Sequence, residues 1–317
     1  MSQDPIPLAG ELRRTVEMLA GRIGERNCYR PAAYAQAADW VEAELARTGM
    51  PVRRLPVNVP GGEPFHCPPA TVWNLEAVKP GREKPGEVIV VGAHYDSKVA
   101  TPGWHDHGPP LPDRPGTPAA NDNASGVAAV LALAKALAGV PTRRTLRFVA
   151  FANEEPPFYQ TEAMGSLAYA RACAADPAVR VVGMITPETI GCYSPRPRTK
   201  RLRAASLLGL PDRHDYVAFL THWGARSFAR TCARHYAPHS TVPVRVAALP
   251  RISNKVAWSD DWSFWQTGVP AFAVTDTAFL RHDDYHELTD TPDSLDYPAM
   301  AEVVRGLRHM LVALANS

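Results

Sequence analysis

Phe148, Val149, Ala150 and Phe151 form an apolar run that leads through Ala152 and Asn153 into two adjacent acids, Glu154 and Glu155. A run of this kind reads as a strand covered on both faces, and here it delivers paired carboxylates at its tip. The pattern recurs elsewhere in the chain. Residues 87–94 make a second, nearly continuous apolar run that ends in His94 and is followed by Asp96, and residues 181–185 make a third that leads to Glu188. Three buried strands ending in acids or histidine restrict the fold to a layered α/β arrangement. Their carboxyl ends must meet where open α/β sheets bind ligands.

The remaining segments supply the layers around those strands. Residues 12–23 and 31–48 read as amphipathic helices packed outside the sheet, the second opened by Pro31 and stopped by Gly49. Residues 51–59 and 71–78 alternate in the manner of strands and are expected at the sheet edge, joined by the turn-rich segment 60–64. Residues 127–137 form a helix apolar on most faces, which implies burial beneath the sheet, and residues 163–174 a shorter helix. Residues 216–220, 242–248 and 269–275 are further strands, and an amphipathic helix spans 298–314. No repeat or linker interrupts this alternation, so a single α/β domain over residues 1–317 is expected.

The bulk properties exclude several functions. At 45% hydrophobic residues and a formal net charge of +2, with no long basic run, nothing points to nucleic acid or an anionic membrane surface. The longest apolar stretch, residues 126–140, carries Lys135 and is too short to span a bilayer. The N-terminus lacks a basic segment followed by an apolar one, which predicts a cytoplasmic chain. Five cysteines, Cys28, Cys67, Cys173, Cys192 and Cys232, include no closely spaced pair and suit reduced thiols. Cys192 alone lies close in sequence to a candidate ligand. The Pro- and Gly-rich stretch 98–119 is expected to line or cover the site, with His105 and His107 as exposed loop residues outside the metal set.

The acids and histidines make up a metal-ligand inventory. Two divalent ions roughly 3.5 to 4 Å apart can share one carboxylate, each ion completed by one His and one acid. Asp122, just before the helix at 127–137, is the natural bridge, with His94 and Glu188 on one ion and Glu155 and His286 on the other. Imidazole and carboxylate without thiolate suit zinc, so two Zn2+ per chain are expected. Side chains at successive extended positions point apart, so Glu155 binds metal while Glu154 acts as general base, taking a proton from a metal-activated water. Asp96 is placed to accept the free His94 N–H and fix its tautomer, and Asp290 to do the same near His286. Ser259, Asp260, Asp261, Trp262, Phe264 and Trp265 read as either a core helix start or a pocket wall.

Five motifs, in order, carry a family resemblance. They are Gly92, Ala93, His94, Tyr95, Asp96 and Ser97; Asn121, Asp122, Asn123, Ala124, Ser125 and Gly126; Asn153, Glu154 and Glu155 with Gly165 and Ser166; Glu188, Thr189, Ile190 and Gly191; and Tyr285 and His286 with Asp290, Thr291 and Pro292. Together they resemble the zinc exopeptidases that include leucyl aminopeptidases, glutaminyl cyclases and glutamate carboxypeptidase, the twenty-eighth metallopeptidase family. The resemblance implies a three-layer α/β/α fold with a mixed, mostly parallel sheet, and hydrolytic removal of an N-terminal residue from a peptide substrate. Glu188 stands where many relatives carry Asp, Pro156 and Pro157 replace a Gly-Leu pair, and Asp261 replaces a His, so substrate identity stays open. A glutaminyl cyclase and a non-catalytic binding domain of the same fold are the alternatives.

Overall fold

Along the central strands, Val88 and Val90 pack into one apolar cluster while Ile89, Val91 and Ala93 pack into another, so both faces of the sheet are covered. This alternation is the physical content of the apolar runs: each residue is buried, but on opposite sides. The computed structural model describes residues 5–102, 108–194, 210–211, 213–250 and 259–317. His105, His107 and most of the basic stretch 196–213 lie outside the described residues.

Eight strands form one sheet: β1 (Val52–Val59), β2 (Ala70–Lys79), β3 (Lys84–His94), β4 (Arg144–Phe151), β5 (Arg180–Pro187), β6 (Val217–His222), β7 (Val244–Leu249) and β8 (Ala271–Thr275). Their order is β1-β2-β4-β3-β5-β8-β6-β7. The central strands β4, β3, β5 and β8 run parallel, β6 pairs parallel with β7, and antiparallel pairs join β1 to β2, β2 to β4, and β6 to β8. The fold is thus a mixed, mostly parallel sheet between helices. Helices α1 (Pro5–Val16), α2 (Pro31–Ala46) and α3 (Ser125–Leu137) and the long helix Tyr297–Asn316 pack on one face, while α4 (Gly165–Ala175) and the short helix Asp261–Gln266 cover the other.

Two details differ from the sequence expectation. The first helix is α-helical only to Val16 and continues as π-helical turns over Glu17–Ile23, ending at Gly24 with φ 77°. Strand β2 is not at the edge, because β1 lies outside it. Its polar residues misled: Asn74 and Glu76 are buried, not solvated. Asn74 donates to the Gly165 carbonyl (2.8 Å) and accepts from Ala152 N–H (3.0 Å), and Glu76 accepts from Tyr169 (2.6 Å) and Arg53 (2.8 Å). Such partners let polar side chains sit inside a sheet at little cost.

The topology positions the site. From β3 the chain passes through α3 to β4 on one side, then through α4 to β5 on the other side of β3. That reversal opens a crevice beyond the carboxyl ends of β3, β4 and β5, the place where ligands bind in such sheets. Gly126, in the first turn of α3, allows the helix to approach β5 closely: a Cβ there would lie 2.2 Å from the Pro187 carbonyl oxygen and 2.4 Å from Asn123 Oδ1. Gly126→Ala is therefore expected to lower stability by about 1–3 kcal/mol, read as a lower urea midpoint. A variant as stable as the parent would show that α3 shifts freely.

Candidate metal centre

His94 is the last residue of β3, Glu154 and Glu155 follow β4, and Glu188 follows β5. Asp122 lies in the irregular turn entering α3, with φ −113° and ψ 86°, and the Asp122–Asn123 peptide is cis. His286 stands in the segment before the long last helix. The structure brings these five ligand candidates into two groups that share Asp122: His94, Asp122 and Glu188, and Asp122, Glu155 and His286. Asp122 Oδ1 lies 3.2 Å from His94 Nε2, and its Oδ2 lies 3.0 Å from His286 Nε2. One oxygen faces each group. Glu188 lies 3.4 Å from His94 Nε2, and Glu155 lies 3.6 Å from His286 Nε2.

The chemistry of this donor set fits divalent metal. Both His94 ring nitrogens and Glu155 Oε1 are buried without a hydrogen-bond partner. Three carboxylates crowd His94 Nε2, with Glu154 Oε2 at 3.7 Å, so negative charge is packed where water is excluded. Buried like charges of this density call for a cation. Burial pushes the Glu155 carboxyl up to about 8, Asp122 adding to it and His286 and His94 opposing. Burial also raises Glu188 and, with Glu155 and Glu188 adding, holds Glu154 well above the usual carboxylate range. Burial would lower the His94 imidazole, but Glu154, Glu188, Asp122 and Asp96 outweigh it and hold it well above its ordinary value. Burial would raise Asp122, but the two histidines outweigh it and hold that carboxyl low.

Asp96 ties two strand ends together. Its oxygens accept the backbone N–H groups of Glu154 and Glu155, each at 3.1 Å, and it lies 3.5 Å from His94 Nδ1. Asp290 differs from expectation: its carboxylate accepts the backbone N–H groups of Asn121 (2.8 Å) and Asp122 (3.1 Å), so it fixes the shared residue rather than the His286 ring. Cys192 is buried and belongs to neither group; its backbone N–H donates to Asp276 at 2.7 Å.

Several supports were assigned no such role from the sequence. Asn123 donates to Glu188 Oε2 (2.8 Å) and accepts from Gly126 N–H (3.0 Å) and Thr189 N–H (3.2 Å), fixing a ligand and two backbones at once. Ser259 donates to the same Glu188 oxygen at 2.7 Å. Arg26 is fully buried, and its guanidinium donates to the carbonyls of Tyr95 (2.6 Å), Pro118 (2.7 Å), Ala119 (3.0 Å), Gly24 (3.1 Å) and Leu19 (3.3 Å). It joins the loop after His94 to the loop before Asp122. Burial lowers it to about 10, with Asp96, Asp290, Asp122 and Glu155 opposing.

The backbone at the rim is strained. Asn153 (φ 55°), Thr189 (φ 50°) and His286 (φ 63°) adopt left-handed conformations that non-glycine residues rarely occupy. Such residues persist where their surroundings over-determine them. Tyr34 does so for Asn153, donating to Asn153 Oδ1 (3.1 Å) and accepting from its N–H (3.0 Å), and Thr189 is tied to the Thr275 hydroxyl at 2.8 Å.

Fold and site together define an α/β protein with two joined candidate metal groups at the ends of its parallel strands. A family model for peptidase family M28 matches residues 74–311, and the chain belongs to that family. Over 302 residues it is 30% identical to the uncharacterized protein YfbL of Escherichia coli K12, covering 95% of this chain and 87% of that protein. It superposes on the glutaminyl cyclase of Fimbriiglobus ruber with a TM-score of 0.69 at 20% identity, covering 98% of this chain and 95% of that one. It also superposes on BSAP, a zinc aminopeptidase from Bacillus subtilis, with a TM-score of 0.71 at 13% identity, covering 97% and 95%. At these identities the structural likenesses show the fold. Among the described residues no helix is long and apolar enough to cross a membrane.

Proposed function

We propose that this chain is a zinc-dependent aminopeptidase that hydrolyses N-terminal residues from peptides. The observation that carries the reading is the division of Asp122, one oxygen toward His94 and the other toward His286, with Glu188 and Glu155 completing the two groups. His94, Asp122 and Glu188 would hold one ion, and Asp122, Glu155 and His286 the other. When bound, zinc supplies Lewis acidity toward the scissile carbonyl and makes water a stronger acid. Glu154, outside both groups, takes the proton from the attacking water and returns it to the leaving amine. Asp96 keeps Glu154 and Glu155 in register with His94 through their backbone amides. The five buried cysteines, with no closely spaced pair in the sequence, suit a cytoplasmic setting.

The test is hydrolysis of aminoacyl anilides by zinc-loaded protein, with activity lost on exhaustive chelation and regained with zinc. Activity that survives chelation would sink the reading. Asp122→Asn is expected to lower bound zinc from about two per chain to one or fewer, because a single residue serves both groups. Undiminished zinc content would remove Asp122 from the bridge. The fold shared with a glutaminyl cyclase supports a second reading, cyclisation of N-terminal Gln, which needs only one ion. Two complete groups favour hydrolysis. A peptide with N-terminal Gln separates the two: free glutamine marks the peptidase, and ammonia with an intact chain marks the cyclase.

A further inference from the structure

Asp260 and Asp261, at the start of the short helix Asp261–Gln266, are 0% and 1% exposed. Neither oxygen of Asp260, nor Oδ1 of Asp261, has a hydrogen-bond partner. Adjacent buried carboxylates with orphaned oxygens are costly unless a cation completes them. Their neighbour Ser259 bonds Glu188, which sets the pair beside the metal groups. Among the described residues neither acid belongs to a group that can hold a metal ion. Trp262 directly follows Asp261, and its ring centroid lies 6.4 Å from that of Tyr159; aromatic faces of this kind favour an organic cation instead. Burial first, then Glu154, Asp261 and Asp260, hold the Tyr159 hydroxyl well above its usual range.

We propose that Asp260 and Asp261, with Tyr159 and Trp262 as aromatic walls, form a subsite for the ammonium or guanidinium of an N-terminal lysine or arginine side chain. The subsite rests on the aminopeptidase reading above. It makes the enzyme selective for basic N-terminal residues, because a charged substrate group satisfies oxygens that a neutral one leaves orphaned.

Lysine and norleucine share a four-carbon stem and differ in the terminal ammonium, so they isolate the cation. Calorimetry on the zinc-loaded protein should show L-lysinamide binding about 10- to 100-fold tighter than L-norleucinamide, the range of a charge-assisted hydrogen bond. In Asp261→Asn, and separately in Asp260→Asn, that ratio should shrink about tenfold, and the ratio of kcat/KM for the matching anilides should shrink with it. Equal affinities in the parent protein overturn the subsite, and this arm needs no variant to fold. A ratio that neither variant moves also overturns it, as does equal weakening of both amides, which would mark recognition of the α-ammonium. Selective binding of lysinamide without hydrolysis of either anilide would uphold the subsite and overturn the peptidase reading.

Discussion

Glu154→Gln is expected to keep about two zinc ions per chain while kcat for an aminoacyl anilide falls by roughly 10²- to 10⁴-fold, the usual contribution of a positioned general base. The amide preserves the shape of the side chain but cannot take a proton from water. Metal content should survive because Glu154 belongs to neither ligand group. The measurement is zinc stoichiometry beside steady-state turnover on the same preparation. Full activity would remove Glu154 from the chemistry, and loss of zinc would make it a ligand.

Arg26→Met is expected to destabilise the fold by about 3–5 kcal/mol, the range for breaking a buried charged network. Five backbone carbonyls lose their donor at once, and methionine fills the volume without replacing a single bond. Arg26→Lys should fall between, because an ammonium has three donors to the guanidinium's five and lacks its planar fork. Urea unfolding of the metal-free proteins reads the effect directly. A loss below about 1 kcal/mol would mean that water satisfies these carbonyls.

What the sequence made legible follows from where each signal resides. The positions of His94, Glu154, Glu155 and Glu188 were readable because buried apolar runs stop abruptly at polar groups, and those runs are strands β3, β4 and β5. Asp122 was readable from its place ahead of an apolar helix. His286 sits in an irregular segment, and only its motif pointed to it. Arg26 was invisible because its partners are carbonyls, which every residue possesses. Strand β2 was placed too far out because the burial of Asn74 and Glu76 depends on Gly165, Ala152, Tyr169 and Arg53, distant in sequence. The role of Asp290 was misplaced for a related reason: nearness to His286 along the chain says nothing about the Asn121 and Asp122 amides that it accepts.

The divided carboxylate of Asp122 has a thermodynamic consequence. Were both groups filled, an ion held against Oδ1 would immobilise Oδ2 as well, so part of the ordering entropy for a second ion would already be spent. Opposing this, two cations so placed would repel each other. The two occupancies would thus be linked, and whatever factor the first ion imposed on the affinity of the second would be imposed equally in return.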